Sequence, residues 1–235
     1  AALTSALFNR LDWYYAPGGV LHEGGLFSWE PAAFEALGVQ PGSTVLVCAA
    51  GGGREIDALQ AQGVSARGFD PSDLGADRPD QDIVKGTYED LVAAVEGRPS
   101  PLAALLSDRF DAVILGLGSF NHVLTTSDQV ALLLALHRRW PEAGVLVSYQ
   151  TERDERTSEV PRVAALRARI RARLGTNQHS PGVEYLSGGG FMTFPCHESV
   201  AAVAQQAGYR VTLAAGPYAH DVLQPDAGHD GTAST

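Results

Sequence analysis

Cysteine is scarce in this chain, with only 2 among its 235 residues. Cys48 and Cys196 lie far apart, without the spacing of a zinc site, and they predict free thiols in a reducing compartment. Long apolar runs are also missing, since none approaches the ~20 residues that a membrane span needs. The first residues show no charged-then-apolar signal pattern. These absences predict a soluble, cytoplasmic protein with no membrane partner.

Basic charge is in short supply, because 17 Lys and Arg face 27 Asp and Glu and the formal net charge is -10. Nucleic-acid binding usually relies on basic side chains that attract phosphates, so this balance opposes it. The 7 histidines show neither H-x-H nor H-x-x-x-H spacing, and we predict no metal site. We therefore expect a small-molecule or protein partner and no nucleic acid. The oligomeric state stays open, and a homodimer is one alternative.

Apolar strand patterns and helical patterns alternate along most of the chain. Several strand patterns are apolar on both faces, which is typical of a parallel sheet covered by helices on both sides. The last two follow one another without a long helix, which predicts an antiparallel closing strand. We therefore predict an α/β fold with a doubly wound, seven-stranded, mostly parallel sheet. Strands are predicted over residues 44–49, 65–69, 83–85, 110–115, 144–149, 209–214 and 218–223, and helices over 3–15, 31–37, 54–62, 91–106, 127–139, 160–174 and 197–207.

The alternation of strand and helix patterns does not extend over the whole chain, and it divides the chain into three parts. Residues 1–40 read as an N-terminal helical cap segment that precedes the regular pattern. Residues 41–223 carry the alternation and form the predicted ligand-binding domain. The last residues, 224–235, read QPDAGHDGTAST and predict a poorly ordered tail.

Three consecutive glycines, Gly51 to Gly53, separate the first long strand from a helix. Ligands of open α/β sheets bind beyond the carboxyl ends of the strands, where a glycine backbone approaches them closely. Asp70 stands at the end of the next predicted strand, where an acidic side chain commonly accepts hydrogen bonds from ribose hydroxyls. The two features together predict a nucleoside cofactor. The dinucleotide fingerprint G-x-G-x-x-G is incomplete, because Ile56 stands where the third glycine belongs.

The stretch 45–72, VLVCAAGGGREIDALQAQGVSARGFDPS, resembles motif I and the acidic strand end of class I S-adenosylmethionine-dependent methyltransferases. Four later stretches are similar to that family's motifs in the same order: KGTYEDL, FDAVILGLGSFNHV, WPEAGVLVSY and ESVAAVAQQAGYRV. Two positions depart from the pattern, because Val47 replaces the usual acid and Ala49 a usual glycine. The resemblance implies a Rossmann-like domain with S-adenosylmethionine as its cofactor. The implied cofactor-binding residues are Tyr15, Ala49, Gly51, Gly53, Asp70, Pro71, Thr87, Tyr88, Glu89, Leu117 and Gly118.

A methyltransferase site also has to hold the molecule that accepts the methyl group. One candidate base for that part of the site is His122, on the loop beyond the fourth strand. The alternative is that His122 caps or orients that loop. Aromatic side chains of the cap segment form a candidate lid, because positively charged methyl donors are attracted to aromatic faces; the alternative is that the segment only packs on the sheet. Arg54 is a candidate partner for the cofactor's carboxylate, or one half of a solvated pair with Glu55. Predicted substrate-binding residues are Tyr14, Phe27, Trp29 and Tyr149.

Three functions follow from these residues. The resemblance implies methyl transfer from S-adenosylmethionine to an oxygen or nitrogen of a small molecule, with natural product biosynthesis as one setting. DNA-modifying relatives carry an Asp/Asn-Pro-Pro-aromatic motif where this chain reads LGLGSF, which disfavours a nucleic-acid acceptor. The changes at Val47 and Ala49 leave open a protein that binds the cofactor without transferring methyl groups, or that catalyses another reaction. A nicotinamide-dependent oxidoreductase is the third alternative.

Overall fold

The computed structural model describes residues 6–75, 83–151, 183–186, 190–215 and 219–226. The helix predicted over residues 160–174 lies outside the described residues, as does most of the predicted tail. The helices are α1 Asp12–Tyr15, α2 Val20–Glu23, α3 Glu30–Ala36, α4 Arg54–Gln60, α5 Tyr88–Val95, α6 Thr126–Arg139 and α7 His197–Gln206. The strands are β1 Thr44–Cys48, β2 Ser65–Asp70, β3 Ile83–Lys85, β4 Ala112–Leu115, β5 Gly144–Ser148, β6 Glu184–Leu186, β7 Gly190–Met192, β8 Tyr209–Ala215 and β9 His220–Pro225.

A sheet of 7 strands in the order β3-β2-β1-β4-β5-β9-β8 organises the described residues. The strand pairs from β3 to β5 are parallel. Strand β9 is antiparallel to both of its neighbours, so the last strand along the chain lies inside the sheet and β8 forms the edge. The predicted doubly wound sheet with its antiparallel closing strand is confirmed. Strands β6 and β7 form a separate antiparallel pair.

Helices cover both faces of the sheet because each central strand is apolar on both sides. In β1, Leu46 and Cys48 point into the core beneath α5, α6 and α7. Val45 and Val47 point into the opposite core, with α3 and α4. Val47 is fully buried there, so the apolar side chain at the family's acidic position is part of the packing.

Two predicted helices differ from the observed ones. Residues 6–15 are helical in three short pieces, including a 3₁₀ turn at Asn9–Leu11. The helix predicted over 91–106 begins earlier, at Tyr88, because Thr87 and Asp90 form a reciprocal capping box. It ends at Val95, before Gly97 with φ 75°, and a separate 3₁₀ turn follows at Ala103–Ser107.

Candidate functional site

The carboxyl ends of the parallel strands meet at one edge of the sheet. Cys48 of β1 is the register partner of Phe69 in β2 and of Leu115 in β4. Strand β9 runs the other way, so its first residue, His220, faces Ser148 at the end of β5. The loops that leave β1, β2, β4 and β5 therefore converge with the start of β9. This is the edge at which open α/β sheets bind their ligands.

The glycine loop (Gly51, Gly52 and Gly53) presents bare backbone at this edge. Gly51 and Gly53 take φ values of 53° and 88°, in the left-handed region that favours glycine. A Cβ at Gly51 would meet no atom within 4 Å, so the backbone there borders open space. A Cβ at Gly52 would lie 2.4 Å from the carbonyl oxygen of Tyr15. The cap segment therefore crosses directly over the middle of the loop.

The Asp70 carboxylate ties the second strand to the glycine loop. Its Oδ2 accepts a hydrogen bond from the Gly51 N–H at 2.8 Å. Its Oδ1 accepts from the Ser72 N–H at 2.8 Å and from the Ser72 hydroxyl. Pro71, which lies between Asp70 and Ser72 in the sequence, is half-buried. Gly51 and Asp70, both predicted to bind the cofactor, are thus brought into direct contact.

Ala49 enters the glycine loop with φ 55°, and it is the one non-glycine with positive φ among the described residues. An L-residue with a Cβ loses roughly 1–2 kcal/mol in this region relative to ordinary conformations. The family pattern places glycine here, and the observed backbone supplies the reason.

We expect Ala49→Gly to raise the free energy of unfolding by about 1 kcal/mol, because relief of the left-handed strain outweighs the added freedom of the unfolded chain. Urea unfolding of the purified variant measures this. The neighbouring Ala50 is buried and has no positive φ, so Ala50→Gly serves as the matched control and should destabilise by about 0.5–1 kcal/mol. Equal losses in both variants would contradict the strain at Ala49.

Three of the predicted cofactor-binding residues, Thr87, Tyr88 and Glu89, lie at the start of α5. The Thr87 hydroxyl accepts from the Asp90 N–H at 3.1 Å and donates to its carboxylate, so this side chain caps the helix. The Tyr88 hydroxyl lies 2.5 Å from Ser119 Oγ, and burial raises the pKa of this phenol well above its ordinary value. Glu89 is exposed to solvent.

The loop after β4 is held against β5 by a residue that the sequence reasoning missed. The Gly118 N–H donates to Ser148 Oγ at 2.9 Å, and that hydroxyl donates to the Gly116 carbonyl at 3.1 Å. Gly118 has φ 64°, and Leu117 beside it is half-buried. Ser148 is the last residue of β5, and nothing in the local sequence indicates that its side chain holds the loop after β4.

His122 lies on the 3₁₀ turn Ser119–His122 that follows this loop. Its Nδ1 lies 3.0 Å from the Phe191 carbonyl, which only accepts hydrogen bonds, so Nδ1 carries the proton and Nε2 the lone pair. Within the described residues no group hydrogen-bonds Nε2. Burial lowers the pKa of the imidazole, so the neutral form that a proton acceptor needs is favoured. The predicted base and the predicted orienting role both fit this geometry.

The lowered pKa of His122 makes stability sensitive to acid. Below about pH 6.5 the unfolded chain binds a proton that the folded protein excludes, so the free energy of unfolding falls as pH drops toward the folded-state pKa. We expect a loss of about 1.4 kcal/mol for each unit by which folding lowers the pKa. Urea unfolding at about pH 7.5 and about pH 5.5 measures it. His122→Asn keeps a donor near Nδ1 but does not titrate, and an unchanged pH dependence in this variant would contradict the assignment.

Asn121 joins three chain segments around His122, and the sequence reasoning did not single it out. Its Nδ2 donates to the carbonyls of Gln150 and Thr193, at 2.9 and 2.6 Å. Its Oδ1 accepts from the Gln150 N–H at 2.9 Å, and its own carbonyl accepts from the Thr193 N–H at 2.8 Å. The buried amide thus aligns the end of β5 and the chain after β7 with the turn that carries His122.

Aromatic rings of the cap segment form a continuous series that ends on His122. Trp13, Tyr14 and Tyr15 contact one another edge to face, at centroid distances of 5.5 and 4.8 Å. Phe8 contacts Tyr15 at 5.3 Å and His122 at 5.6 Å. The predicted residues Tyr14 and Tyr15 therefore lie in the same ring series as the candidate base, and the Tyr15 carbonyl also borders the glycine loop.

A buried ionic cluster, Glu30–Arg54–Glu55, fastens the cap segment to α4. The three residues are 2%, 5% and 5% exposed. The guanidinium donates to both Glu30 oxygens, at 2.7 and 2.6 Å, to Glu55 at 2.7 Å and to the Gly25 carbonyl at 2.8 Å. Burial raises the pKa of Glu55, and the charge of Arg54 opposes that rise. The predicted solvated pair is wrong, because Arg54 is enclosed by these partners.

The predicted acceptor residues take up different positions around the edge. The Phe27 ring lies 5.0 Å from the Arg54 guanidinium, and the Phe27 N–H donates to Glu30 at 2.6 Å. Trp29 stacks on His220, with a centroid distance of 4.4 Å and an interplanar angle of 24°. The cap segment thus reaches from the glycine loop to the start of β9.

Tyr149 is buried within a hydrogen-bonded chain on the α7 side of the sheet. Its hydroxyl donates to Asp221 Oδ2 at 2.8 Å, and His197 Nδ1 donates to Asp221 Oδ1 at 2.9 Å. Burial raises the pKa of Asp221, an effect that the hydrogen bonds from Tyr149 and His197 oppose. His197 is about half exposed, with 47% of its side chain accessible. Asp221 and His197 are 24 residues apart, and their contact has no local signal in the sequence.

The residues at this edge fit S-adenosylmethionine. Gly51 offers a bare backbone beside open space, and Asp70 retains acceptor capacity on Oδ2 next to it.

In the part of the chain that the structure describes, no group of three or more His, Cys, Asp or Glu side chains is placed to hold a metal ion. None of the helices in that part combines the length and the apolar character that a bilayer crossing requires.

No protein-family model matches the chain, and no curated protein matches it significantly. Solved structures do. The chain is 14% identical to the 1,6-didemethyltoxoflavin-N1-methyltransferase of Burkholderia thailandensis, solved with 1,6-didemethyltoxoflavin and S-adenosylhomocysteine, and the match covers 96% of this chain and 89% of that one with a TM-score of 0.56. It is 13% identical to the CcbJ methyltransferase of Streptomyces caelestis, covering 95% and 98% of the two chains with a TM-score of 0.59. The chain therefore has the fold of class I S-adenosylmethionine-dependent methyltransferases.

The same fold is shared by a Rhodobacter sphaeroides protein that is described as a zinc-dependent alcohol dehydrogenase. That chain is 16% identical, with 96% of this chain and 98% of the other covered and a TM-score of 0.61. Likeness at this level of identity concerns the fold alone, because one fold can host several different reactions.

Proposed function

We propose that this protein transfers a methyl group from S-adenosylmethionine to an oxygen or nitrogen of a small molecule. The observation that carries the proposal is the contact between the bare Gly51 backbone and the Asp70 carboxylate, 2.8 Å apart, at the carboxyl edge of the sheet. Backbone amides beside open space suit a ligand that approaches closely, and the adjacent carboxylate suits its ribose. The fold shared with methyltransferases that bind S-adenosylhomocysteine supports the same cofactor.

The cofactor site combines the loops after β1, β2 and β4 with the cap segment. Bound S-adenosylmethionine supplies an electrophilic methyl group on a sulfonium. Asp70 would accept a hydrogen bond from its ribose, and the rings of the cap segment would exclude water and favour its positive charge. The residues that we assign to cofactor binding are Tyr15, Ala49, Gly51, Gly53, Asp70, Pro71, Thr87, Tyr88, Glu89, Leu117 and Gly118.

His122 is the residue that we assign to proton acceptance. Its Nε2 lone pair would take the proton of a hydroxyl acceptor. An amine acceptor already carries a lone pair and needs no base for the attack. Fixing the position and orientation of the acceptor would supply up to about 7–11 kcal/mol of the lowering of the barrier. We assign acceptor contacts to Tyr14, Phe27, Trp29 and Tyr149.

Natural product biosynthesis is the setting that we propose. The support is that this chain shares its fold with the 1,6-didemethyltoxoflavin-N1-methyltransferase, which was solved with 1,6-didemethyltoxoflavin bound.

Calorimetric titration with S-adenosylhomocysteine, with NAD titrated in parallel, tests the proposal. We expect dissociation in the micromolar range for S-adenosylhomocysteine and no heat with NAD. Binding of NAD alone would overturn the proposal in favour of an oxidoreductase. Failure to bind either compound would mean that the protein has lost nucleoside binding through the replacements at Val47 and Ala49.

A further inference from the structure

The two oxygens of the Asp70 carboxylate are unequally occupied. Oδ1 accepts two hydrogen bonds, from the Ser72 N–H at 2.8 Å and from the Ser72 hydroxyl. Oδ2 accepts one, from the Gly51 N–H at 2.8 Å. A carboxylate oxygen has two lone-pair sites, so Oδ1 is saturated and Oδ2 retains one open position.

The Ser72 hydroxyl is held in this arrangement from both sides. Ser72 is 3% exposed, so water does not readily replace a lost partner. Its Oγ accepts a hydrogen bond from the Leu74 N–H at 3.4 Å while its proton points at Asp70. A ligand hydroxyl that displaced it from Oδ1 would leave a buried donor unsatisfied, which largely cancels the gain. Displacement of Ser72 by a ribose hydroxyl is therefore unfavourable.

We propose that Ser72 determines how this protein recognises the ribose of its nucleoside ligand. Ser72 occupies Oδ1 of Asp70, and the ribose is bound by one of its two hydroxyls, through Oδ2. A nucleoside that lacks the other hydroxyl is then tolerated. This inference rests on the proposed function, because it concerns the ribose of the S-adenosyl group.

Calorimetric titration of the full chain with S-adenosylhomocysteine and with its 2′-deoxy and 3′-deoxy forms tests this inference. In the unmodified protein we expect one deoxy form to bind about 10- to 100-fold more weakly, the cost of one hydrogen bond to a charged group, and the other to bind within about 3-fold of the parent compound. Ser72→Ala frees Oδ1, so both deoxy forms should then bind at least about 10-fold more weakly than the parent compound. Ser72→Thr keeps the hydroxyl and should reproduce the pattern of the unmodified protein.

The outcomes separate this inference from the proposed function. Equal losses for both deoxy forms in the unmodified protein, or a loss for neither, overturn the role of Ser72 while S-adenosylhomocysteine binding still supports the proposed function. An unchanged pattern in folded Ser72→Ala overturns it too. If that variant fails to fold, the two deoxy forms on the unmodified protein decide alone. Absence of S-adenosylhomocysteine binding overturns both.

Discussion

Replacement of Arg54 by methionine is expected to lower the free energy of unfolding by about 3–5 kcal/mol. Methionine fills a similar volume but removes the cation that faces the buried carboxylates of Glu30 and Glu55. Removal of one partner from a buried ion pair leaves uncompensated charge in a low-dielectric interior, which costs more than the intact pair contributes. Urea unfolding monitored by circular dichroism measures the loss.

Two further variants isolate the electrostatic cause. Arg98 makes a chemically similar pair with Glu96 on the surface, where 59% and 47% of the side chains are exposed. Arg98→Met should cost at most about 1 kcal/mol, because solvent screens exposed pairs. The triple variant Glu30→Gln, Arg54→Met, Glu55→Gln removes all three charges and should recover most of the loss. A triple variant no more stable than Arg54→Met alone would assign the effect to packing instead.

Replacement of Asp70 by asparagine is expected to weaken S-adenosylhomocysteine binding by about 100-fold. The carboxylate accepts from the Gly51 N–H, the Ser72 N–H and the Ser72 hydroxyl, and we assign it a ribose hydroxyl as well. Asparagine offers one acceptor oxygen, and its amide group points a donor at other donors. The variant therefore loses the ribose contact and loosens the glycine loop together. Calorimetric titration measures the affinity.

Asp111 provides a control at the opposite edge of the sheet. Its Oδ2 accepts from the Thr44 N–H at 2.7 Å, at the amino end of β1. Asp111→Asn removes the same charge and weakens a similar hydrogen bond, yet it lies a strand's length from the proposed ligand. S-adenosylhomocysteine affinity within about 3-fold of the unmodified protein is expected. Equal losses in the two variants would show that Asp70 acts through general charge or stability and not through contact.

The sequence was informative wherever one local pattern had one structural solution. Apolar runs on both faces predicted buried strands, and β1, β4 and β5 lie within the predicted bounds. Glycines after one parallel strand and Asp70 after the next had to meet, because parallel strands end at a common edge. The hydrogen bond from Gly51 to Asp70 follows from that rule.

Contacts between residues far apart in the chain could not be predicted in this way. The local sequence places Arg54 at a helix start beside Glu55, whereas Glu30, its second buried partner, lies 24 positions earlier. Asn121 meets Thr193 across 72 positions. The identity of a polar side chain does not indicate which distant residue it will hydrogen-bond in the folded protein. That choice depends on how the elements pack, since each buried donor or acceptor has to be satisfied.

By itself, the sequence of this protein determined the class of fold, the edge of the sheet at which a ligand would bind and the types of residue at that edge. Those features depend on side-chain periodicity, on glycine's backbone freedom and on the geometry of parallel strands, all of which act over a few residues. Only the tertiary structure decided that Ser72 saturates one oxygen of Asp70, that Arg54 is enclosed by two carboxylates, and that the Nδ1 of His122 is held by Phe191. These arrangements depend on hydrogen bonds that form in a solvent-poor interior. Such bonds can form only when the distant segments have packed together.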